Sequence, residues 1–447
     1  EAQAPWYEPQ GRVSIVDLGV PNPAAAGLPG ALIFAGDGPG RSGGRGFMRT
    51  DLNNVSPRFG FAWQAAPRTV VRGGYVIMYA PLVGQDQQRK GFNTAVAISS
   101  QDGGLTPVFQ IDQGWPAGRV LEPPFIDPAG ANGTSASAVE RRRGGSGSMP
   151  MVQQWQFNVQ RTVKEILFDA SYVGTVSHGI TVGSAVQLNQ LPAGYLTLGS
   201  LLQRQITDPA VVAQGFKKPY PTFTGTLAQA LRPYPQYQAL NVLDAPVGNS
   251  TYHALLVKVE KRYSSGLQFL ASYSFSKTLT DVTFDNSDLN PPQDAYNRRA
   301  EKSLANTDVP HRLVLSYGYE FPFGKGRRWN AGAWNWLAGG WSVSGIHTYS
   351  IATPLRITLP NSLPIFNGYL RPNRVSDVPI RIGPDSASFH PLNALSGETG
   401  DLFLNPAAFA VPQSFTFGNL GAFLPDVRGF SQRNEDISLV KRFHLRE

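Results

Sequence analysis

Apolar side chains return at every second position in one segment after another. Phe59, Phe61 and Trp63 alternate with Arg58, Gly60, Ala62 and Gln64. Val71, Gly73, Tyr75, Ile77 and Tyr79 follow. Trp155, Phe157 and Val159 alternate with Gln154, Gln156, Asn158 and Gln160, and Ile166, Phe168, Ala170 and Tyr172 come next. Leu267, Phe269, Ala271, Tyr273 and Phe275 alternate with Gln268, Leu270, Ser272, Ser274 and Ser276; Leu313, Leu315, Tyr317, Tyr319 and Phe321 repeat the pattern. A period of two marks β-strands whose two faces meet different surroundings. Runs of about ten residues are the length a tilted strand needs to cross a bilayer. About eleven strands can be counted this way, the weakest near Val13–Asp17 and Ala31–Ala35 and the last beginning near Asn434.

The connections alternate between short and long. Ala65–Arg68, Thr162–Lys164 and Ser264–Gly266 are tight, and Pro322–Ala338 is of moderate length. The stretches 81–150, 177–249, 280–310 and 353–433 are long. Outer-membrane barrels place short turns on the periplasmic side and long loops outside, whereas a soluble sandwich has no reason to put its long loops at one end. The faces agree. One is Leu, Val, Ile, Phe, Tyr and Trp; the other is Gln, Ser and Gly with occasional charges. Lipid outside and a wet lumen inside require this split. The pattern therefore predicts an all-β chain: an antiparallel up-and-down transmembrane β-barrel, a single domain over 1–447, with long extracellular loops. Phe269, Tyr273, Phe275, Leu313, Leu315, Tyr317 and Tyr319 are expected to face lipid.

Composition removes several alternatives. Charged residues make up 16% and aromatic residues 11%, with 47 Gly and 36 Pro, a mixture suited to many strands and turns. The absence of Cys excludes disulfides, thiolate metal sites and a Cys nucleophile. The net charge of +8 is scattered through turns apart from Arg141-Arg142-Arg143, so nucleic acid is not an expected partner. No run of about 18 apolar residues suggests a transmembrane helix, and a strand-built membrane protein needs none. The start at Glu1 without Met and an odd strand count suggest a chain trimmed at both ends, because an open barrel leaves unpaired edges.

Several blocks carry a family resemblance. The first is Asn53-Asn54-Val55-Ser56-Pro57-Arg58-Phe59-Gly60-Phe61-Ala62-Trp63 followed by Thr69-Val70-Val71-Arg72-Gly73-Gly74-Tyr75. The second runs through Tyr252-His253-Ala254-Leu255, Glu260-Lys261-Arg262-Tyr263, Gly266-Leu267-Gln268-Phe269 and Ser272-Tyr273-Ser274-Phe275-Ser276-Lys277. The third joins His311-Arg312, Tyr319-Glu320-Phe321-Pro322-Phe323-Gly324-Lys325-Gly326-Arg327 and Gly339-Gly340-Trp341. Asn405-Pro406-Ala407-Ala408-Phe409 and Asp436-Ile437-Ser438-Leu439-Val440-Lys441 complete the order. In this order the set resembles the barrel of Oar-like TonB-dependent outer-membrane transporters. The resemblance implies a 22-stranded barrel, of which about eleven strands are expected here, in the bacterial outer membrane. It also implies an N-terminal plug and an energising TonB complex as partners. Neither a plug nor a TonB box is recognisable before Trp6, and the final Phe443-His444-Leu445-Arg446-Glu447 lacks the terminal aromatic residue of such barrels.

Two clusters stand out as candidate sites. Trp329, Trp334, Trp336 and Trp341 surround one connection beside Arg327 and Arg328. They read as an interfacial aromatic girdle with snorkelling cations, the sharper alternative being a glycan platform. Asp281, Asp285, Asp288 and Asp294, with Asn286, Tyr296, Arg298 and Arg299, form an oxygen-rich loop that could contact substrate. Its spacing matches no Ca²⁺ loop. Gly36-Asp37-Gly38-Pro39-Gly40 lacks the Lys-Ser/Thr of a phosphate cradle, and Gly144-Gly145-Ser146-Gly147-Ser148 is not a nucleophile elbow. The six His are dispersed, so neither a metal nor another cofactor is expected. Asp169 and Glu320 fall on the lumen face, where they could line a pathway or pair with Arg312. No catalytic constellation appears, so an enzyme is not expected. The expected function is TonB-dependent transport of a substrate caught by the extracellular loops. The alternative is an outer-membrane adhesion or surface-interaction barrel that transports nothing.

Overall fold

The computed structural model describes residues 8–48, 50–80, 89–93, 99–100, 102–114, 123–139, 148–182, 186–242, 245–282, 292–330, 332–361, 363, 365–366, 368–383, 389 and 400–443. Strands β1 (Ser14–Pro21) and β2 (Pro29–Phe34) come first, then β3 (Arg58–Ala66), β4 (Thr69–Tyr79) and the short β5 (Ser135–Ala138). β6 (Met151–Val163), β7 (Ile166–Val182), β8 (Ala239–Val242), β9 (Ala245–Ser264) and β10 (Leu267–Thr280) follow. After them come β11 (Ser303–Leu304), β12 (His311–Glu320), β13 (Trp341–Ser350), β14 (Asn373–Arg374), β15 (Phe409–Ala410) and β16 (Gln432–Lys441).

Nine of these strands form an antiparallel meander in the order β3-β4-β6-β7-β9-β10-β12-β13-β16, with β11 paired to the end of β10. Among the described residues β3 and β16 are each paired on one side only. The hairpins β3–β4, β6–β7 and β9–β10 turn over two residues. Ser265 and Gly266 both take positive φ, 52° and 82°, the twist-matched geometry of a two-residue hairpin. All the long connections lie at the opposite end. The segment 8–57 belongs to that end too, because it enters β3 at Arg58, away from the turn at 67–68. The pairing of β7 with β9 continues to Val182↔Ala245, so that connection is 183–244, shorter than the 177–249 read from the sequence.

Register fixes the faces. Phe269 pairs with Tyr317, Tyr273 with Leu313 and Leu267 with Tyr319, and in-register partners share a face. Following Leu313↔Tyr349 and Tyr319↔Val343 into β13, and Phe269↔Lys261 and Tyr273↔Val257 into β9, extends one predominantly apolar face across the sheet. Phe269, Tyr273, Phe275, Leu313, Leu315, Tyr317 and Tyr319 all lie on it. The other face carries Gln154, Gln156, Asn158, Ser272, Ser274, Ser316 and Ser344.

The two weakest expected barrel strands are corrected. Val13–Asp17 and Ala31–Ala35 belong to a separate four-stranded sheet in the order β2-β1-β5-β8. Val13, Ile15, Val16, Ala31 and Phe34 are all fully buried. Strands apolar on both faces need protein on both sides, which a barrel wall does not supply. β1 pairs antiparallel with β2, whereas β1–β5 and β5–β8 are parallel. The buried clusters also lie at the loop end. Leu202, Val211, Phe223, Leu227 and Ile365 form one; Val16, Leu32, Phe34, Tyr237 and Leu240 a second; Leu420, Leu424 and Val427 a third. The long connections thus fold into a cap with its own hydrophobic cores.

Candidate functional site: the loop cap

A cavity of about 800 Å³ opens between 133, 202–239 and Ile365 within the cap. Tyr220 and Phe223, in edge contact with centroids 5.4 Å apart, give it an aromatic wall. Gln203, Thr222, Thr224 and Gln229 add amides and hydroxyls. Tyr237 and Gln236 hold this wall to β2: Tyr237 Oη donates to Gly30 O at 3.0 Å, and Gln236 Nε2 to Pro29 O at 2.9 Å. Arg232 donates to Asn189 O at 2.9 Å and Gln238 O at 2.8 Å, and burial pulls its guanidinium down to about 10. Burial also pushes the Tyr237 phenol up to about 12. A concave pocket with an aromatic wall and few charges suits a ligand held by stacking and neutral hydrogen bonds.

The acidic residues singled out in the sequence hold loops together. Asp281 accepts from Asn249 N at 2.6 Å and Asn249 Nδ2 at 3.0 Å, and Arg298 stands 3.8 Å away. Asp294 accepts from Gln190 Nε2 at 2.7 Å, while Tyr296 Oη donates to Gln190 O at 3.0 Å. The Gln190 bonds join 281–310 to 183–244, and the Asn249 bonds tie Asp281 to β9. Tyr296 still exposes 55% of its surface. Asp285, Asn286 and Asp288 lie outside the described residues, as do Arg141-Arg142-Arg143. Two stronger knots were not singled out. Arg371 grips Glu301 at 2.9 Å and 3.1 Å, and Arg428 reaches Asp308 at 2.6 Å. Burial outweighs Arg371 at Glu301 and raises its carboxyl above the ordinary value.

The polar face of the meander forms a second concavity, a trough of about 940 Å³. Lys258 and Glu260 pair across 3.1 Å within it, beside Arg262, Ser316 and Asp436. Asp169 accepts from Asn158 at 2.6 Å and Gln160 at 3.0 Å. Glu320 accepts from Tyr263 at 2.8 Å and Arg327 at 2.6 Å, so its partner is Arg327 where the sequence offered Arg312. Trp329, Trp334 and Trp336 occupy the connection 321–340 at the turn end, exposed by 51%, 66% and 66%. Trp341 opens β13, with Lys441 Nζ 5.2 Å from its ring centroid.

The family model for the outer membrane beta barrel domain matches residues 1–447. The chain belongs to this family. Its place is the bacterial outer membrane. A search of curated proteins returned no match. Among solved structures, the barrel domain is similar to the FrpB iron transporter of Neisseria meningitidis, at 9% identity and a TM-score of 0.31 over 67% of this chain and 27% of that one. It is also similar to the outer membrane transporter YddB of Escherichia coli, at 10% identity and a TM-score of 0.33 over 69% and 30%. The ferripyoverdine receptor of Pseudomonas aeruginosa gives 10% identity and a TM-score of 0.30 over 76% and 26%. The chain therefore spans less than a third of the length of each.

Within this outer membrane β-barrel domain, sequence reasoning missed the cap pocket and the two buried arginine pairs. Glu301 and Arg371 sit in different connections, with nothing in their spacing to link them. One signal was available. Tyr220, Phe223 and Tyr237 lie in a Pro-rich stretch without strand periodicity, and aromatic residues in a loop require a core of their own.

Proposed function

We propose that this chain is the barrel portion of an Oar-like TonB-dependent transporter whose loop cap receives an extracellular substrate. The observation that carries the reading is the asymmetry of the molecule: three two-residue turns and the moderate connection 321–340 at one end and, at the other, long segments packed into a cored cap with an open pocket. A protein that needs only to span the membrane has no use for such a cap. The 22-strand closure, the plug and the energising complex come from the family resemblance. In this reading Phe269, Tyr273, Phe275, Leu313, Leu315, Tyr317 and Tyr319 meet lipid. Trp329, Trp334, Trp336 and Trp341 mark the periplasmic boundary of the bilayer. Of the described loop candidates, Tyr296 is exposed enough to meet substrate, whereas Asp281, Asp294 and Arg298 act as anchors.

The test uses the full-length gene product. Purified protein is screened for ligands retained from spent growth medium, and uptake of a retained ligand is compared with and without the energising complex. Transport predicts uptake that stops when the complex is removed, and Thr224→Trp, which fills the pocket, weakens capture. Retention of a cell-surface polymer with no energised uptake would instead favour the adhesion reading.

A further inference from the structure

A small concavity of about 310 Å³ opens at the loop end of the apolar face, lined by Tyr273, His311, Leu313, Tyr349, Ile351 and Arg433. Register puts its residues on one side of the sheet. Tyr273 pairs with Leu313, Leu313 with Tyr349, and Tyr349 with Arg433; His311 pairs with Phe275. A cation is out of character on a face built of Leu, Val and aromatic residues. Among the described residues the Arg433 side chain makes no hydrogen bond or ion pair, while its backbone lies in the ladder with β13. The acid nearest on its own strand and face is Glu435, which is engaged by Tyr349 Oη at 2.5 Å.

We infer that this pocket binds the phosphate-bearing headgroup of an outer-leaflet lipid. The inference rests on the reading that the apolar face meets lipid. Depth supports it. Lys441 ends the same strand near the turn side. Arg433 lies about 26 Å along the strand from it at ~3.3 Å per residue. A tilt of ~45° leaves roughly 19 Å of height within an apolar band about 25 Å tall, so the band's outer limit is about one arginine side chain above Arg433. An arginine there reaches headgroups, and its planar fork matches two phosphate oxygens. His311 supplies a second donor. Its Nδ1 lies 2.7 Å from Tyr273 Oη, with the rings stacked at 6.2 Å. When Oη donates to Nδ1, the ring proton sits on Nε2 and is free to bond an anion. Leu313 and Ile351 provide an apolar floor for the glycerol and upper acyl carbons.

Native mass spectrometry of the full-length protein in detergent micelles tests this, with phosphatidylglycerol and phosphatidylcholine offered at equal concentration. The expected result is preferential retention of phosphatidylglycerol. Arg433→Gln lowers that retention roughly five-fold, the effect of one basic group at a charged membrane surface. Arg72→Gln on the polar face leaves it unchanged. Arg433→Lys gives an intermediate loss, and it and His311→Gln stand in if Arg433→Gln does not fold. Equal retention of the two lipids, or full retention by Arg433→Gln, overturns the proposal. Displacement of phosphatidylglycerol by millimolar inorganic phosphate also overturns it, because the site would then be a free-anion site. Failure of the lipid-facing assignment itself is read separately, from folding of a face variant such as Phe269→Arg.

Discussion

Arg371 and Glu301 meet in a two-bonded ion pair, 2.9 Å and 3.1 Å long, with side chains only 6% and 13% exposed. The pair clamps 351–431 onto 281–310. Removing one partner strands the other as a buried charge, at a cost of about 3–5 kcal/mol. Arg371→Ala is expected to loosen the cap and leave the sheet in place. Limited proteolysis checks this: new cleavage should appear in 281–310 and 351–431, with the heat-modifiable mobility of the folded barrel retained. Loss of that mobility would mean that cap and sheet fold as one unit.

The same pair gives a pH dependence of unusual sign. Burial raises the Glu301 carboxyl above its ordinary 4.5 despite Arg371. A carboxyl with a raised folded-state value binds its proton more readily folded than unfolded. Its contribution to cap stability is therefore largest below about 4.5 and is lost as pH rises through the raised value. Glu301→Gln, uncharged throughout, should remove this component. The check is the denaturant midpoint of the cap from pH 4 to 8, wild type against variant. A wild-type slope that the substitution leaves unchanged refutes the assignment.

Phe269 and Ser316 test the faces. Phe269 shares the apolar face with Tyr317 in β12, while Ser316 pairs with Leu270 on the polar side. Phe269→Arg should cost about 2–4 kcal/mol near the bilayer midplane, and Ser316→Arg far less. Folding yield in lipid vesicles, read by electrophoretic mobility without heating, separates them. Equal yields would contradict the assignment.

Gly174 lies directly across from Trp155, and a Cβ at this position would overlap the indole ring. Phe61 covers Gly73 and Tyr317 covers Gly345 in the same way, each an in-register cross-strand pair. An aromatic ring folded over a glycine shields backbone that would otherwise be bare. Gly174→Ala should destabilise by about 1–3 kcal/mol through overpacking. Trp155→Leu should relieve much of that loss, and strictly additive effects of the two changes would rule out the contact as its cause.

The meander was legible because each of its strands carries its own alternation and its own tight turn. Ser265 and Gly266 announce a hairpin, and Leu267 to Phe275 display two unlike faces within nine residues. The cap was not legible for the opposite reason. Strand β5 is four small residues, Ser135–Ala138, and its partner β8 lies about a hundred residues away. Neither has a periodicity of its own, and the burial of Val16 and Leu32 arises only when separate connections meet. The acidic loop was visible as composition. What Asp281 and Asp294 do depends on Asn249 and Gln190, whose nearness no spacing reveals.

Strands β1, β5 and β8 reach the small sheet from three different stretches of chain, and two of its three pairings are parallel. β1 and β2 are neighbours in the chain, but neither parallel pairing can form until the hairpins beneath have brought the stretches to one rim. The parallel core of the cap is therefore expected to take its shape last. Slow exchange of the Ala136 and Leu240 amide protons would act as a clock for insertion, recording when the wall below has reached its final register.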